Sequence, residues 1–146
     1  MSSIVSIKAK RLVTHAQLPH YAHVGEYGDL AADLASSESL LLEPGATQPV
    51  STGIALEFPS THGALVEDRS GLALKGLTTL AGVIDPGYRG EIRVVVTNLG
   101  PNAAQIKIGD RIAQLRIVQR IQAQFMEVQE LGDATRGAGG FGSTGS

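Results

Sequence analysis

Glu91-Ile92-Arg93-Val94-Val95-Val96-Thr97-Asn98 is the stretch whose pattern decides the fold class. Its β-branched side chains are stiff at χ1 and fit a pleated strand better than a helix. Ile92, Val94 and Val96 share one face, and Arg93, Val95 and Thr97 share the other, a period of two. The same alternation returns upstream, where Ile54, Leu56 and Phe58 are interleaved with Ala55 and Glu57 and the run stops at Pro59. Short apolar runs at 4–13, 40–42, 64–67, 83–84, 106–108, 111–118 and 121–128 fill out a set of strands. Turn signals separate them at Glu43-Pro44-Gly45, Asp85-Pro86-Gly87, Gly100-Pro101-Asn102 and Gly109-Asp110. One brief helix is expected over 70–77, weakened by Gly71 and Gly76. Many short strands at this spacing predict an all-β sandwich or barrel.

The chain has 146 residues, enough for one domain. Hydrophobic residues make up 42% and aromatic residues 4%, so the core must be built from Val, Ile, Leu and Ala. Twelve basic against 14 acidic residues leave a formal charge of -2. That balance argues against a dedicated nucleic-acid surface but leaves room for a small anionic ligand held by a few arginines. There is no cysteine, which excludes disulfides, zinc-thiolate sites and a Cys nucleophile. No stretch approaches the roughly 20 apolar residues of a membrane span, and MSSIVSIKAK lacks a signal-like apolar run. The expectation is a cytoplasmic protein with no membrane partner. His15, His20, His23 and His62 show no metal-ligand spacing and read as surface or turn residues. Residues 132–146 are dominated by Gly, Ser, Thr and Ala. They divide the chain into a β-domain over 1–131 and a flexible C-terminal arm over 132–146.

Four segments carry chemistry. Arg136-Gly137-Ala138-Gly139-Gly140-Phe141-Gly142-Ser143-Thr144-Gly145 combines a free backbone, a guanidinium, two hydroxyls and an aromatic ring. Those are parts for wrapping a nucleotide, although on composition alone the segment also reads as a plain mobile tail. Gly82 to Ile92 sets Asp85 on a turn beside Tyr88 and Arg89. A carboxylate there can take a proton from water; equally, Asp85 can cap the hairpin while Arg89 pairs with Glu91. Asp68 to Leu77 puts Arg69 and Ser70 at a possible helix start, where anions are favoured or where Ser70 is simply the cap. Gly109 to Leu115 sets Gln114 in an apolar strand, needing a partner if buried and none if it faces water at an edge.

Together with GDLAADLAS at 28–36, the segments DRSGLA at 68–73, GVIDPGYRGE at 82–91, GDRIAQL at 109–115 and RGAGGFGSTG at 136–145 resemble the trimeric dUTPase family. The five stand in the family's order and run from about residue 28 to the C-terminus. The third and fifth are the most specific. The resemblance implies a jelly-roll fold with one short helix and a homotrimer whose active sites are shared between chains. It implies a dUTP diphosphatase cutting dUTP at the α-phosphorus to dUMP and pyrophosphate with Mg2+. That reaction limits uracil in DNA and supplies dUMP for dTMP synthesis.

Residue by residue, the resemblance makes Asp85 the group that orients and deprotonates the attacking water. Gln114 becomes a contact to phosphate or to that water. Arg69, Ser70 and Gly71 face phosphate. Gly82 and Ile84 belong to the hairpin whose backbone reads uracil, and Tyr88 lies under the deoxyribose. Arg136, Gly142, Ser143 and Thr144 hold the γ-phosphate end, and Phe141 stacks on the base. Asp33 holds a metal-bound water rather than the metal. The sequence leaves the family pattern at Ala32, where Tyr is frequent, and at Asp68, where Pro is common. It also differs at Thr79, where many members carry Asn, and at Gly87, where Asp is also common. A dCTP deaminase of the same fold is the nearest alternative, but its catalytic Glu position holds Val95, which cannot move a proton. A catalytically silent nucleotide-binding trimer is the other, and the retained Asp85 argues against it.

Overall fold

The structure, a computed structural model, describes residues 3–142 and Thr144. Ten strands and one short helix follow in order: β1 (Lys8–Arg11), β2 (Ala32–Ala35), β3 (Leu40–Leu42), β4 (Thr47–Glu57), β5 (His62–Glu67), α1 (Ser70–Ala73), β6 (Leu77–Leu80), β7 (Val83–Ile84), β8 (Glu91–Asn98), β9 (Ala104–Ile106) and β10 (Arg111–Gln119). One four-stranded sheet runs β1-β4-β8-β6, a second runs β2-β10-β5-β7, and β3 pairs with β9. All these pairings are antiparallel. The result is all-β, as the strand pattern predicts, and is the jelly roll that the family resemblance implies.

The alternation read from Glu91 to Asn98 is realised in β8, whose Ile92, Val94 and Val96 are buried. They meet Val50, Ile54 and Leu56 of β4 and, from the other sheet, Leu34, Ala64, Val66, Ile112 and Leu115. Aliphatic side chains from both inner faces thus form one core. Longer β4 contains a register irregularity between Ser51 and Ala55. Gly53 sits there with φ +71, and a Cβ would press within 2.8 Å of Val13, so glycine is the residue that fits.

Four expectations need correction. The first strand occupies Lys8–Arg11 rather than 4–13. The helix is one turn, Ser70–Ala73, with no buried residue; eight residues with two glycines do not propagate a helix by themselves. Strand β9 closes at Ile106, leaving Ile108 half exposed. Residues 121–128 form no strand. Ile121, Phe125 and Met126 stand exposed, and none of these residues joins a described strand pairing.

Candidate active site

Strand β10 lies between β2 and β5, so Gln114 is opposite Asp33 on one side and Glu67 on the other. The water-facing edge position considered for Gln114 is therefore not what the fold gives it. Half-buried, its Nε2 donates to the Asp68 carbonyl at 2.9 Å. The neighbouring Asp33 carboxylate, 15% exposed, faces two guanidiniums: Arg69 Nε at 3.3 Å and Arg111 Nη1 at 3.4 Å. Arg69 also donates through Nη1 to the Arg111 carbonyl at 3.1 Å. A register irregularity between Arg111 and Ala113 lies at this corner. One carboxylate between two cations leaves a surplus positive charge on groups that keep water contact. Guanidiniums so held suit phosphate oxygens. Arg69, Arg111 and Lys75 also line a groove of about 660 Å³.

Asp68 immediately follows β5. Its carboxylate accepts from Thr78 Oγ1 at 2.6 Å, Thr79 N at 2.6 Å and Thr79 Oγ1 at 2.7 Å. Burial works against its ionised form, but these donors outweigh burial and hold the carboxyl below the ordinary Asp range. Two of the positions where the sequence departs from the family pattern, Asp68 and Thr79, are thus in direct contact. Further along, Gly82 has φ +122 and lies against β5. The amide of Val66 donates to its carbonyl at 2.7 Å, and a Cβ on Gly82 would meet the Val66 carbonyl at 2.6 Å. Only glycine permits that approach.

Ile84 pairs with Ala64 at the edge of the second sheet, and the chain then enters the Asp85 turn. Asp85 is exposed, and its carbonyl accepts from the Tyr88 amide at 3.1 Å. Tyr88 is 44% exposed and donates its hydroxyl to the Glu91 carbonyl at 2.8 Å. Arg89 does not pair with Glu91. It donates to the Pro86 carbonyl at 2.7 Å and stands 3.8 Å from Glu57, while Glu91 binds Arg93 and the Gly53 amide. Ser70 is not the helix cap either; Arg69 occupies that position and makes no side-chain capping bond.

The structure brings Asp33, Arg69 and Gln114 together and joins them through β5 to Gly82 and Ile84. It leaves the tail apart. Arg136 Nε bonds the Gly139 carbonyl at 2.6 Å, and Phe141 is fully exposed with φ 49. Gly142 and Thr144 are exposed as well, whereas Ser143 lies outside the described residues. Three residues escaped the sequence reading. Arg111 was visible inside GDRIAQL, but nothing in the sequence pairs it with Asp33. Asp68 stood out only as an irregular neighbour of Arg69. Gly90 is constrained by Tyr88, because a Cβ there would meet the ring hydroxyl at 2.5 Å.

Among the described residues no group of three or more His, Cys, Asp or Glu side chains is placed to hold a metal, and no helix is long and apolar enough to cross a membrane. The sequence model of the dUTPase family matches residues 16–145. A deoxyuridine 5'-triphosphate nucleotidohydrolase of Solibacter usitatus is 49% identical over 99% of both chains. One of Thermobifida fusca is 48% identical, covering 97% of this chain and 79% of that one. Among solved structures, a variant dUTPase of Staphylococcus bacteriophage 80alpha with dUpNHpp superposes with a TM-score of 0.85 at 26% identity. That match covers 97% of this chain and 99% of the phage chain. With near-complete coverage, high identity and a shared fold, the chain belongs to the dUTPase family.

Proposed function

We propose that this chain is a dUTP diphosphatase, hydrolysing dUTP at the α-phosphorus to dUMP and pyrophosphate. The observation that carries the reading is the joining of three distant segments at the end of β5. Gln114 bonds the Asp68 carbonyl and Val66 bonds the Gly82 carbonyl, so the second, third and fourth motifs meet around one strand. Arg69, Ser70 and Gly71 then face the phosphates, with Arg111 adding charge. Gly82 and Ile84 offer backbone groups to uracil. Tyr88, held by its bond to the Glu91 carbonyl, packs under the deoxyribose and leaves no room for a 2′-hydroxyl.

Asp85 is the base. A water oxygen forms the new bond to the α-phosphorus, the bond from that phosphorus to the bridging oxygen breaks, and pyrophosphate leaves with the electron pair. The water's proton passes to the Asp85 carboxylate, and Gln114 orients water or phosphate. Positioning and charge stabilisation carry such a transfer. Asp33, already shared between two arginines, is a single carboxylate rather than a cage. This donor set fits Mg2+ brought in with the substrate's phosphates, and Asp33 would be the residue that holds it, through water. When bound, the ion neutralises triphosphate charge.

The β-domain over 1–131 supplies this scaffold, and the arm over 132–146 closes on the substrate through Arg136, Phe141, Gly142, Ser143 and Thr144. The arm reaches a site of another copy in a homotrimer. Supporting that assembly, Ile121, Phe125, Met126, Val128 and Leu131 expose apolar side chains along the segment before the arm. A cysteine-free chain suits the reducing cytoplasm.

The test is incubation with dUTP, dCTP, dTTP and UTP in Mg2+, with product separation. Production of dUMP and pyrophosphate from dUTP alone is expected. Consumption of dCTP would return the deaminase reading, and no turnover would leave a silent nucleotide-binding trimer.

A further inference from the structure

We propose that Asp68 is a positioning residue that locks the phosphate-contacting loop to the strand entering the base-reading hairpin, setting the spacing between the two ends of the substrate. The inference rests on the dUTP diphosphatase reading. Strand β6 lies at the edge of its sheet. Consecutive side chains of a strand point to opposite faces. Thr78 and Thr79 are consecutive, yet both hydroxyls and the Thr79 amide reach one carboxylate. A group reached by all three must lie off the strand's edge, where a further strand would otherwise pair. Asp68 takes that place and satisfies the edge amide, joining the end of one sheet to the border of the other.

Between the clamp points lies the loop with Arg69, Ser70 and Gly71. Its single helical turn has no buried residue and no side-chain cap, and one turn does not hold itself. Leu72 packs against the core, and Leu77 at the start of β6 belongs to it. The loop is tied by Arg69 to Asp33 and the Arg111 carbonyl and by the Gly76 carbonyl to the Leu99 amide, and its base is closed by Asp68 on one side and Thr78-Thr79 on the other. The same Asp68 offers its carbonyl to Gln114, while three residues beyond Thr79 comes Gly82, itself bonded to Val66. One residue thus touches or adjoins the phosphate loop, the fourth-motif amide and the entry to the base hairpin. Charge-assisted bonds from a carboxylate are stronger than neutral ones, and a shift of about 1 Å at a reacting centre can cost about a hundredfold.

Each half of the site survives alone when the clamp is cut; only their spacing is lost. The test therefore measures kcat and KM for dUTP, together with inhibition constants for dUMP and for pyrophosphate, in wild type, Asp68→Ala, Asp68→Asn and Thr79→Val. Expected for Asp68→Ala is a fall of about a hundredfold in kcat/KM, mostly in kcat, with both product inhibition constants within about threefold of wild type. Asp68→Asn keeps an acceptor for Thr79 and recovers activity to within about tenfold. Thr79→Val lowers kcat/KM in wild type but adds nothing in the Asp68→Ala background, the non-additivity of a shared contact. Undiminished kcat in Asp68→Ala, or equal losses of turnover and of both product affinities, would overturn the clamp. Should Asp68→Ala fail to fold, Thr79→Val with Asp68→Asn gives the same discrimination. Wild-type protein inert toward dUTP would instead overturn the diphosphatase reading, and the clamp with it.

Discussion

The Asp33 corner and the Asp85 hairpin carry the same kinds of side chain in opposite states. At the corner, Asp33 sits between two arginines and is mostly buried, and Gln114 is bonded to backbone. On the hairpin, Asp85 and Tyr88 are exposed, and the arm beyond holds Phe141 wholly in solvent. The corner is finished by the fold because its groups satisfy one another. Under the proposed function, the hairpin and arm carry groups whose partners are substrate or another copy. Damage to the corner should therefore be felt by structure and activity together, and damage to the open side by activity alone.

The sharpest way to break that contrast is Asp85→Asn. The amide keeps the size and exposure but cannot accept the water's proton. Turnover is expected to fall by about 10³-fold, with dUTP binding by calorimetry and the thermal unfolding transition unchanged. Near-normal turnover would remove Asp85 from the role of base.

Deleting residues 135–146 comes next. None of its described residues belongs to the core, so the unfolding temperature should stay within about 2 °C while kcat/KM drops about 10²-fold through loss of the proposed phosphate and base contacts. A lost unfolding transition would mean that the arm is part of the folded domain.

Much of this contrast is legible in the sequence, and for a physical reason. Burial alternates with the pleat, so Ile92, Val94 and Val96 declare their face in composition alone, and turn residues such as Asp85-Pro86-Gly87 punctuate the strands. The third and fifth motifs cover the open side, because the exposed residues proposed to act there are contiguous in the chain. The corner is less legible. Arg111 meets Asp33 only after β10 has paired with β2, and Asp68 meets Thr79 only after a loop has closed. Neither pairing leaves a periodic trace. The segment 121–128 failed for a related reason: alternation marks a strand's faces but says nothing about which chain supplies its partner edge.

A finer probe lies on the hairpin itself. Gly90→Ala would place a Cβ about 2.5 Å from the Tyr88 hydroxyl, a distance real carbon contacts do not reach, so the ring must shift or lose its bond to the Glu91 carbonyl. Because the ring is argued to exclude a 2′-hydroxyl, the ratio of kcat/KM for dUTP over UTP should fall several-fold, on the order of 1 kcal/mol of discrimination. An unchanged ratio with reduced turnover on both substrates would assign the ring a general packing role instead.

The smallest effect concerns the acid limb of stability, and it separates the closed side from the open one by charge. Burial raises the Asp68 pKa, but hydrogen bonds from Thr78 and Thr79 lower it further than burial raises it, so the folded value lies below the ordinary 3.8. A folded pKa below the unfolded one means that the unfolded chain binds more protons in the interval between them. The stabilisation is then complete above the unfolded value and disappears as pH falls through the folded one. Asp29 and Glu67 are lowered too, through hydrogen bonds from His23 and Arg116, and they contribute to the same window in every variant. Comparing urea midpoints of wild type and Asp68→Asn cancels that background. The gap should stay constant from pH 7 to about pH 5 and narrow below about pH 4, as protonated Asp68 comes to resemble the amide. A gap that persists unchanged to pH 3 would show that the clamp does not depend on charge, and that the closed side owes its rigidity to shape and neutral hydrogen bonds.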